Sequence, residues 1–202
     1  LLSRYNQPLG QMTAKEKNAL IRNLGHRVLN AINRVTVVTP HAVVASAILN
    51  FSKETFSFSE LLDVNAIYLK YLTVQRTKLA DTLVSDRRRA FEQVIDTYSQ
   101  RKLIERIDKD KKDKDAEQHF SINEDRRLYL DYYKNNCISF FIPAAYTAMA
   151  ILQKDTFRFS ASVLHEGYAF WQSFFKYEFA YDVDSSPGFN VRKTIKTFID
   201  DG

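Results

Sequence analysis

Apolar residues recur at helical spacing over residues 13 to 34, TAKEKNALIRNLGHRVLNAINR. Thr13 is followed three positions later by Glu16, which is the pattern of a capping box at a helix N-terminus. Behind this cap the apolar positions fall one, three and four residues apart, as one face of a helix requires. They are Leu20, Ile21, Leu24, Val28, Leu29 and Ile32. The pattern therefore predicts an amphipathic first helix.

A second helix is predicted shortly after the first. Thr39-Pro40 combines a favourable N-cap residue with proline at the first helical position. The following residues, HAVVASAILN, contain several small side chains, which predict tight packing against other helices. Between the two helices, residues 35 to 38, VTVV, are all β-branched and predict one short extended segment.

Helical spacing continues through most of the remaining chain. Further helices are predicted at about residues 60 to 78, at 85 to 100, from 124 onwards, at 159 to 180 and at 191 to 202. Pro143 is expected to begin a new helix or to kink the one that starts near Glu124. Ser160 or Ser162 is expected to cap the aromatic helix that follows.

One segment has the pattern of strands instead. Residues 102 to 108, KLIERID, and 117 to 123, EQHFSIN, alternate apolar and polar side chains. The charged run KDKKDKDA lies between them and is turn-like, so a β-hairpin at about residues 102 to 123 with a mobile tip is predicted. The fold class is therefore mainly α with one small β-hairpin, in a single helical domain over residues 1 to 202.

Composition agrees with a helical protein that has a substantial core. Apolar residues make up 45% of the chain, whereas only 5 glycines and 4 prolines are present, which are few for a sandwich or barrel. No run reaches the roughly 18 to 20 apolar residues of a membrane-spanning helix. The nearest run, Cys137 to Leu152, contains Pro143 and is interpreted as a buried core segment.

The net charge narrows the classes of partner. It is +5, with a pI near 9.2, which suits an anionic membrane surface or a phosphorylated small molecule as well as an ordinary soluble protein. Basic residues interleave with acidic ones, so no nucleic-acid partner is expected. The single cysteine excludes an intramolecular disulfide and a cysteine-rich zinc site, and Cys137 itself is expected to be a buried small side chain.

Candidate chemistry is sparse. The four histidines do not form a metal-binding motif, and no glycine-rich phosphate loop is present, so neither a metal nor a cofactor is predicted. His119 and Glu124 have a spacing that resembles an acid–base pair, but nothing in the pattern holds them together. No catalytic residue is therefore assigned.

The first helix carries a polar stripe at helical spacing. It consists of His26, Arg27, Asn30, Asn33 and Arg34. This stripe is the best ligand-facing candidate of the helix. Packing against another part of a longer protein remains an equal alternative, because either role would place polar residues on one face.

Two separated stretches resemble one enzyme family. LGHRVLNAINRVTVVTPHAVVASAILN, residues 24 to 50, resembles the segment that follows the catalytic domain in bacterial and mitochondrial glycerol-3-phosphate acyltransferases. LDYYKNNCISFFIPAA, residues 130 to 145, resembles the Tyr-Tyr-Arg/Lys-Asn-Asn block in the C-terminal region of that family. Dihydroxyacetone-phosphate acyltransferases share this region, so the acceptor stays open.

The resemblance implies that the catalytic domain is absent from this chain. The family transfers acyl groups with a His-x-x-x-x-Asp motif, in which His is the general base. The fifth residue after each histidine is not Asp; these residues are Ala31, Ser46, Glu124 and Phe170. We expect a C-terminal region that is inactive alone. The start, LLSRYNQPLG, has neither an initiator Met nor a signal-peptide pattern, which favours an internal piece of a longer chain.

The second block raises a question about its two adjacent amides, since asparagine is a poor helix former. The block comprises Tyr132, Tyr133, Lys134, Asn135 and Asn136. Three interpretations are open. The amides form a polar junction within the domain or with the catalytic domain, they border the acyl or phosphate site of the full enzyme, or they cap a helix.

By resemblance, the full enzyme transfers an acyl group from acyl-CoA or acyl-carrier protein, as co-substrate, to the sn-1 hydroxyl of glycerol 3-phosphate in phospholipid synthesis. The implied partners are the catalytic domain of the same polypeptide and an anionic membrane surface, and the implied location is the cytoplasmic face of a membrane. Two alternatives are a stand-alone protein-interaction module, which predicts no exposed apolar docking face, and a peripheral lipid-binding module, which predicts salt-sensitive vesicle binding.

Overall fold

The computed structural model describes residues 8 to 107, 118 to 153 and 158 to 200. Within these ranges the chain forms nine α-helices and three short strands, so the prediction of a mainly α fold is confirmed. In chain order the elements are α1 Ala14–Val35, α2 Pro40–Asn50, β1 Thr55–Ser57, α3 Phe58–Val74, α4 Asp81–Ser85, α5 Arg87–Gln100, β2 Ile104–Ile107, β3 His119–Ile122, α6 Arg127–Asn135, α7 Ile138–Leu152, α8 Ala161–Phe174 and α9 Pro187–Asp200.

The chain divides into two compact units. The first unit comprises residues up to Thr36 together with Ile142–Asp200, and the second comprises Val37–Phe141. The first unit therefore contains α1, most of α7, α8 and α9. The second contains the strands and the helices from α2 to α6.

The core of the first unit is formed by α7, α8 and α9. Its buried members are Ile142, Tyr146, Ala150, Leu164, Tyr168 and Val191. Aromatic side chains that follow α8, among them Phe175 and Phe179, pack against this core. Helix α8 ends at Phe174, earlier than the predicted end of the aromatic helix near residue 180.

Helix α2 is the centre of the second unit. It packs against α3, α5 and α6. Its buried residues are Ala42, Val43, Val44, Ala45, Ala47 and Ile48. These are mostly small side chains, so neighbouring helices approach closely, as the sequence predicted.

The three strands form one antiparallel sheet with β3 in the middle. Phe56 pairs with Phe120 across β1 and β3, and their buried rings stack with centroids 5.6 Å apart. The predicted hairpin corresponds to β2 and β3. The tip of that hairpin, KDKKDKDA, lies outside the described residues. Strand β1 was not predicted, because three residues are too few for an alternating pattern to be recognised.

Several helix boundaries follow the predicted caps. Glu16 N–H donates to Thr13 Oγ1 at 3.3 Å, and the Glu16 carboxylate accepts the Thr13 N–H at 2.8 Å, which completes the capping box of α1. Thr39 Oγ1 accepts from Ala42 N–H at 3.3 Å at the start of α2. Ser160 rather than Ser162 is the N-cap of α8.

Two further local predictions differ from the structure. The predicted extended segment at residues 35 to 38 is shorter, because Val35 is still helical and only Val38 forms a bridge, parallel to Leu79. Pro143 lies inside α7 rather than at its start. The break between α6 and α7 comes earlier, at Asn136 and Cys137. Two adjacent asparagines, Asn135 and Asn136, lie at this break, and asparagine is a poor helix former.

Candidate functional site

The polar stripe of α1 is the partly buried side of this helix. Arg27, Asn30 and Asn33 are all partly buried. The two terminal nitrogens of Arg27 each donate to one carboxylate oxygen of Asp184 at 2.7 Å. This forked geometry is the strong form of an arginine–carboxylate pair. Arg27 is thus held by the segment between α8 and α9, within the same unit.

Two further polar residues of α1 contact that segment. His26 Nδ1 accepts a hydrogen bond from the backbone N–H of Tyr181 at 3.2 Å. Arg34 pairs with Asp182 at 3.3 Å. The predicted stripe is therefore a packing surface over much of its length, and any role of Arg27, Asn30 and Asn33 toward a ligand stays a prediction.

The opposite side of α1 is apolar and exposed. Six side chains there keep between 49% and 66% of their surface accessible to solvent. They are Ile21, Leu24, Val28, Leu29, Ile32 and Val35, and we call them the outward face of α1. Within α1 only Leu20 is buried. The usual orientation of an amphipathic helix, with the apolar side inward, is therefore reversed.

The two adjacent amides lie at the end of α6. Asn135 is the last helical residue, and Asn136 is the C-cap. The Asn136 side chain donates to the carbonyl oxygen of Tyr132 at 3.3 Å, and both asparagines are exposed. The position fits the capping interpretation and excludes a buried amide within the second unit. A junction with the catalytic domain and a face near its substrate stay predictions.

Tyr133 belongs to an aromatic cluster that the sequence did not indicate. Its ring centroid lies 5.4 Å from those of both His41 and Tyr98. Tyr98 donates its hydroxyl hydrogen to the backbone carbonyl of His41 at 2.8 Å. Arg101 donates to the hydroxyl oxygen of Tyr133 at 2.8 Å. The cluster joins α6 to the start of α2 and the end of α5.

The electrostatics of this cluster oppose an acid–base role. Burial lowers the pKa of His41, and the nearby charge of Arg101 lowers it further, so the imidazole is neutral at neutral pH. Burial raises the pKa of Tyr98 far above its usual value. Neither group changes charge near neutral pH, and the arrangement therefore anchors α6. These residues are far apart in the sequence, so no local sequence pattern indicates the aromatic cluster.

The other residues of the block point outward or pair locally. Lys134 forms an ion pair with Asp131, one helical turn earlier. Tyr132 is exposed, as are Leu128 and Tyr129 on the same helix. These three side chains form a second, smaller exposed apolar patch, in the second unit.

Cys137 is a structural residue, as the sequence predicted. It is fully buried, and its sulfur lies 3.3 Å from the hydroxyl oxygen of Ser46. Burial raises the pKa of the thiol. The thiolate required of a nucleophile is therefore disfavoured.

Among the residues whose positions are described, no group of three or more His, Cys, Asp or Glu side chains is arranged to hold a metal ion.

In the same part of the chain, no single helix combines the length and apolar composition needed to cross a membrane. One bent pair, Glu124–Asn135 with Ile138–Leu152, meets those two criteria only when both members are counted together.

The comparison with known protein families matches nearly the whole chain. The model of the family described as "Glycerol-3-phosphate acyltransferase C-terminal region" matches residues 3 to 202. The chain therefore belongs to the family of glycerol-3-phosphate acyltransferase C-terminal regions, as the two resembling stretches indicated. No curated protein and no solved structure gives a significant match.

Proposed function

We propose that this chain is the non-catalytic C-terminal region of a membrane-associated enzyme that transfers an acyl group from acyl-CoA or acyl-carrier protein to glycerol 3-phosphate. Its role is to bind the catalytic domain of the same polypeptide and hold it in an active conformation. The family match supports the enzyme class. The outward face of α1 is the observation that supports a docking role.

An exposed apolar face of this size favours docking over a stand-alone module. A monomeric soluble protein rarely leaves a contiguous row of large apolar side chains in water. The row on α1 continues for four helical turns, from Ile21 to Val35. Ion pairs such as Arg27–Asp184 hold the opposite side of the helix against the first unit. The apolar side therefore remains available to a partner.

Burial of this face would contribute appreciable binding energy. Full burial of one aliphatic side chain contributes about 1.5–3 kcal/mol, and these side chains are about half exposed. Each would then contribute about 1 kcal/mol on docking, before the costs of association are subtracted. A covalently linked domain loses less freedom than a free partner, so a face of this kind suffices for intramolecular docking.

A membrane surface is the second candidate for the same face. Lys15, Lys17 and Arg22 are exposed on α1, and Glu16 is the one acidic residue in its first turn. Basic residues that flank an apolar stripe are typical of helices that lie on anionic membranes. This contact would weaken as salt concentration rises, whereas burial against a protein domain would not.

The decisive experiment compares two substitutions in the full-length enzyme, assayed in detergent solution without vesicles. Val28→Glu places a charge in the outward face of α1. Val84→Glu makes the same change at an exposed valine on α4, in the second unit. We expect the first variant to lose at least about 10-fold in activity, which corresponds to about 1.4 kcal/mol of lost docking energy, and the second to keep normal activity.

Stability of each variant is measured in parallel by thermal unfolding of the 202-residue chain. Val28 is exposed in this chain, so Val28→Glu should unfold at the normal temperature. Equal activities of the two full-length variants in detergent would exclude docking by α1. If Val28→Glu instead abolished only salt-sensitive vesicle binding, the membrane would be the partner.

A further inference from the structure

A groove with a mixed polar and apolar lining lies between α1 and α8 in the first unit. It has a volume of about 330 Å³, at the lower end of the range for small-molecule sites. Arg22, Asn23 and His26 line it from α1, and Gln172, Ser173 and Lys176 line it from α8 and the residue positions directly after that helix. Among the described residues, none that lines this α1–α8 groove carries a carboxylate.

Two cations line the groove, and both contact the ring of Tyr177 beside it. The guanidinium carbon of Arg22 lies 5.7 Å from the ring centroid of Tyr177, and the Lys176 ammonium nitrogen lies 5.0 Å from the same centroid. Neither side chain has an ion-pair partner among the described residues. Two like charges held against one ring repel each other, and a bound anion would remove that repulsion.

Two other arginines of α1 do have ion-pair partners. Arg27 is paired with Asp184 and Arg34 with Asp182. The acidic residues of this segment therefore neutralise the arginines farther along the helix. At the groove, Arg22 has no such neutralising partner within the described chain.

Neutral hydrogen-bond donors complete the lining. His26 Nδ1 accepts from the Tyr181 N–H at 3.2 Å, so in the neutral ring the proton lies on Nε2. The Gln172 amide and the Ser173 hydroxyl add further donors at the groove wall. Two cations with hydroxyl, amide and imidazole donors suit an anion that carries several acceptor oxygens.

We propose that the α1–α8 groove binds the phosphate group of a small phosphate monoester, with Arg22 and Lys176 as its charged ligands. The volume accommodates a phosphate with a short substituent rather than a nucleotide. Free phosphate esters and phospholipid headgroups share this chemistry. The α1 residues that line the groove differ from those of the outward face of α1, so phosphate binding is measured independently of docking.

Binding is measured on the 202-residue chain by amide chemical shifts during titration with inorganic phosphate, at constant ionic strength. We expect a saturable shift of amides in α1 and α8 around the groove. Loss of one charge-assisted hydrogen bond weakens binding by about 10-fold, so Arg22→Gln with Lys176→Gln should lower the affinity at least that much.

The matched control removes the same net charge elsewhere. Arg87→Gln with Arg89→Gln changes two exposed residues at the start of α5, in the second unit. This variant should bind phosphate like the original chain. Both double variants are checked for an unchanged unfolding temperature. Equal weakening in both, or no saturable shift in the original chain, would overturn the proposal.

A second arm distinguishes the sources of the phosphate group. Vesicles of phosphatidylcholine with and without phosphatidic acid are mixed with the same three proteins. Vesicle binding that requires phosphatidic acid and is lost only in the Arg22 and Lys176 variant assigns the groove to a lipid headgroup. Phosphate binding in solution without vesicle binding assigns it to a free ester. Vesicle binding retained by that variant, without phosphate binding in solution, would overturn the proposal.

Discussion

At the scale of single residues, the buried amide of Asn65 is the feature that most clearly lowers the stability of the fold. It lies on α3 and is fully buried, and neither its amide nitrogen nor its amide oxygen has a hydrogen-bond partner in the described part of the chain. A buried polar group without a partner costs about 1–3 kcal/mol. Leucine has the same number of side-chain heavy atoms with the same branching and no polar atoms, so Asn65→Leu should raise the free energy of unfolding by about 1–2 kcal/mol. Urea unfolding followed by circular dichroism measures this change.

The control for this prediction is Asn135→Leu, the same change at an exposed asparagine. Substitutions at such surface positions usually stay within about 0.5 kcal/mol of the original stability. A destabilised Asn65→Leu variant would contradict the prediction. It would indicate either that the amide binds an ordered water, as buried polar groups commonly do, or that the bulkier leucine overpacks the site.

Residue-level predictions succeeded where the interaction is local in sequence. The cap residues Thr13 and Thr39 each contact a backbone N–H three positions later, so spacing alone reveals them. The contact between Tyr133 and His41 joins distant parts of the chain. No local pattern specifies such a pair, and sequence reasoning therefore missed it.

At the scale of elements, the sequence predicted helix α1 but not its orientation in the protein. Spacing correctly placed Leu24, Val28 and Ile32 on one side of a helix. It did not specify which side turns toward the protein, because that depends on distant acidic residues. Asp182 and Asp184 pair with the basic side of α1, whereas the apolar side faces solvent.

The packing of α8 against α7 depends on a missing side chain. A Cβ atom at Gly167 would lie 2.9 Å from the Cβ atom of Ala150. Both helices would have to shift, so Gly167→Ala should lower the free energy of unfolding by about 1–3 kcal/mol. Thermal and urea unfolding of the chain test this prediction.

Gly25 provides the matched substitution on α1. Apart from its chain neighbours and the backbone of its own helix, no atom lies within 4 Å of its added Cβ, and alanine is the better helix former. Gly25→Ala should therefore raise stability by about 0.5–1 kcal/mol. If both alanine variants changed stability in the same direction, the close approach between α7 and α8 would not be the cause.

At the scale of the whole molecule, composition and two sequence blocks were sufficient for the fold class and the family. Few glycines and prolines, with helical spacing over most of the chain, predicted a mainly α protein, and the structure agrees. The α1–α8 groove was not predicted. Arg22 and Lys176, which line it, are far apart in the sequence. Only folding brings both side chains to the ring of Tyr177.

The proposed role of the whole chain is tested by assaying it apart from, and then together with, the proposed catalytic domain. We expect the 202-residue chain alone to give no product from glycerol 3-phosphate and a long-chain acyl-CoA, since it contains no His-x-x-x-x-Asp motif. Mixed with the catalytic domain of the same polypeptide, it should restore acyl transfer. The Val84→Glu chain should restore it equally, and the Val28→Glu chain should not. Product from the chain alone would contradict this role and would make His119 and Glu124 the first residues to substitute.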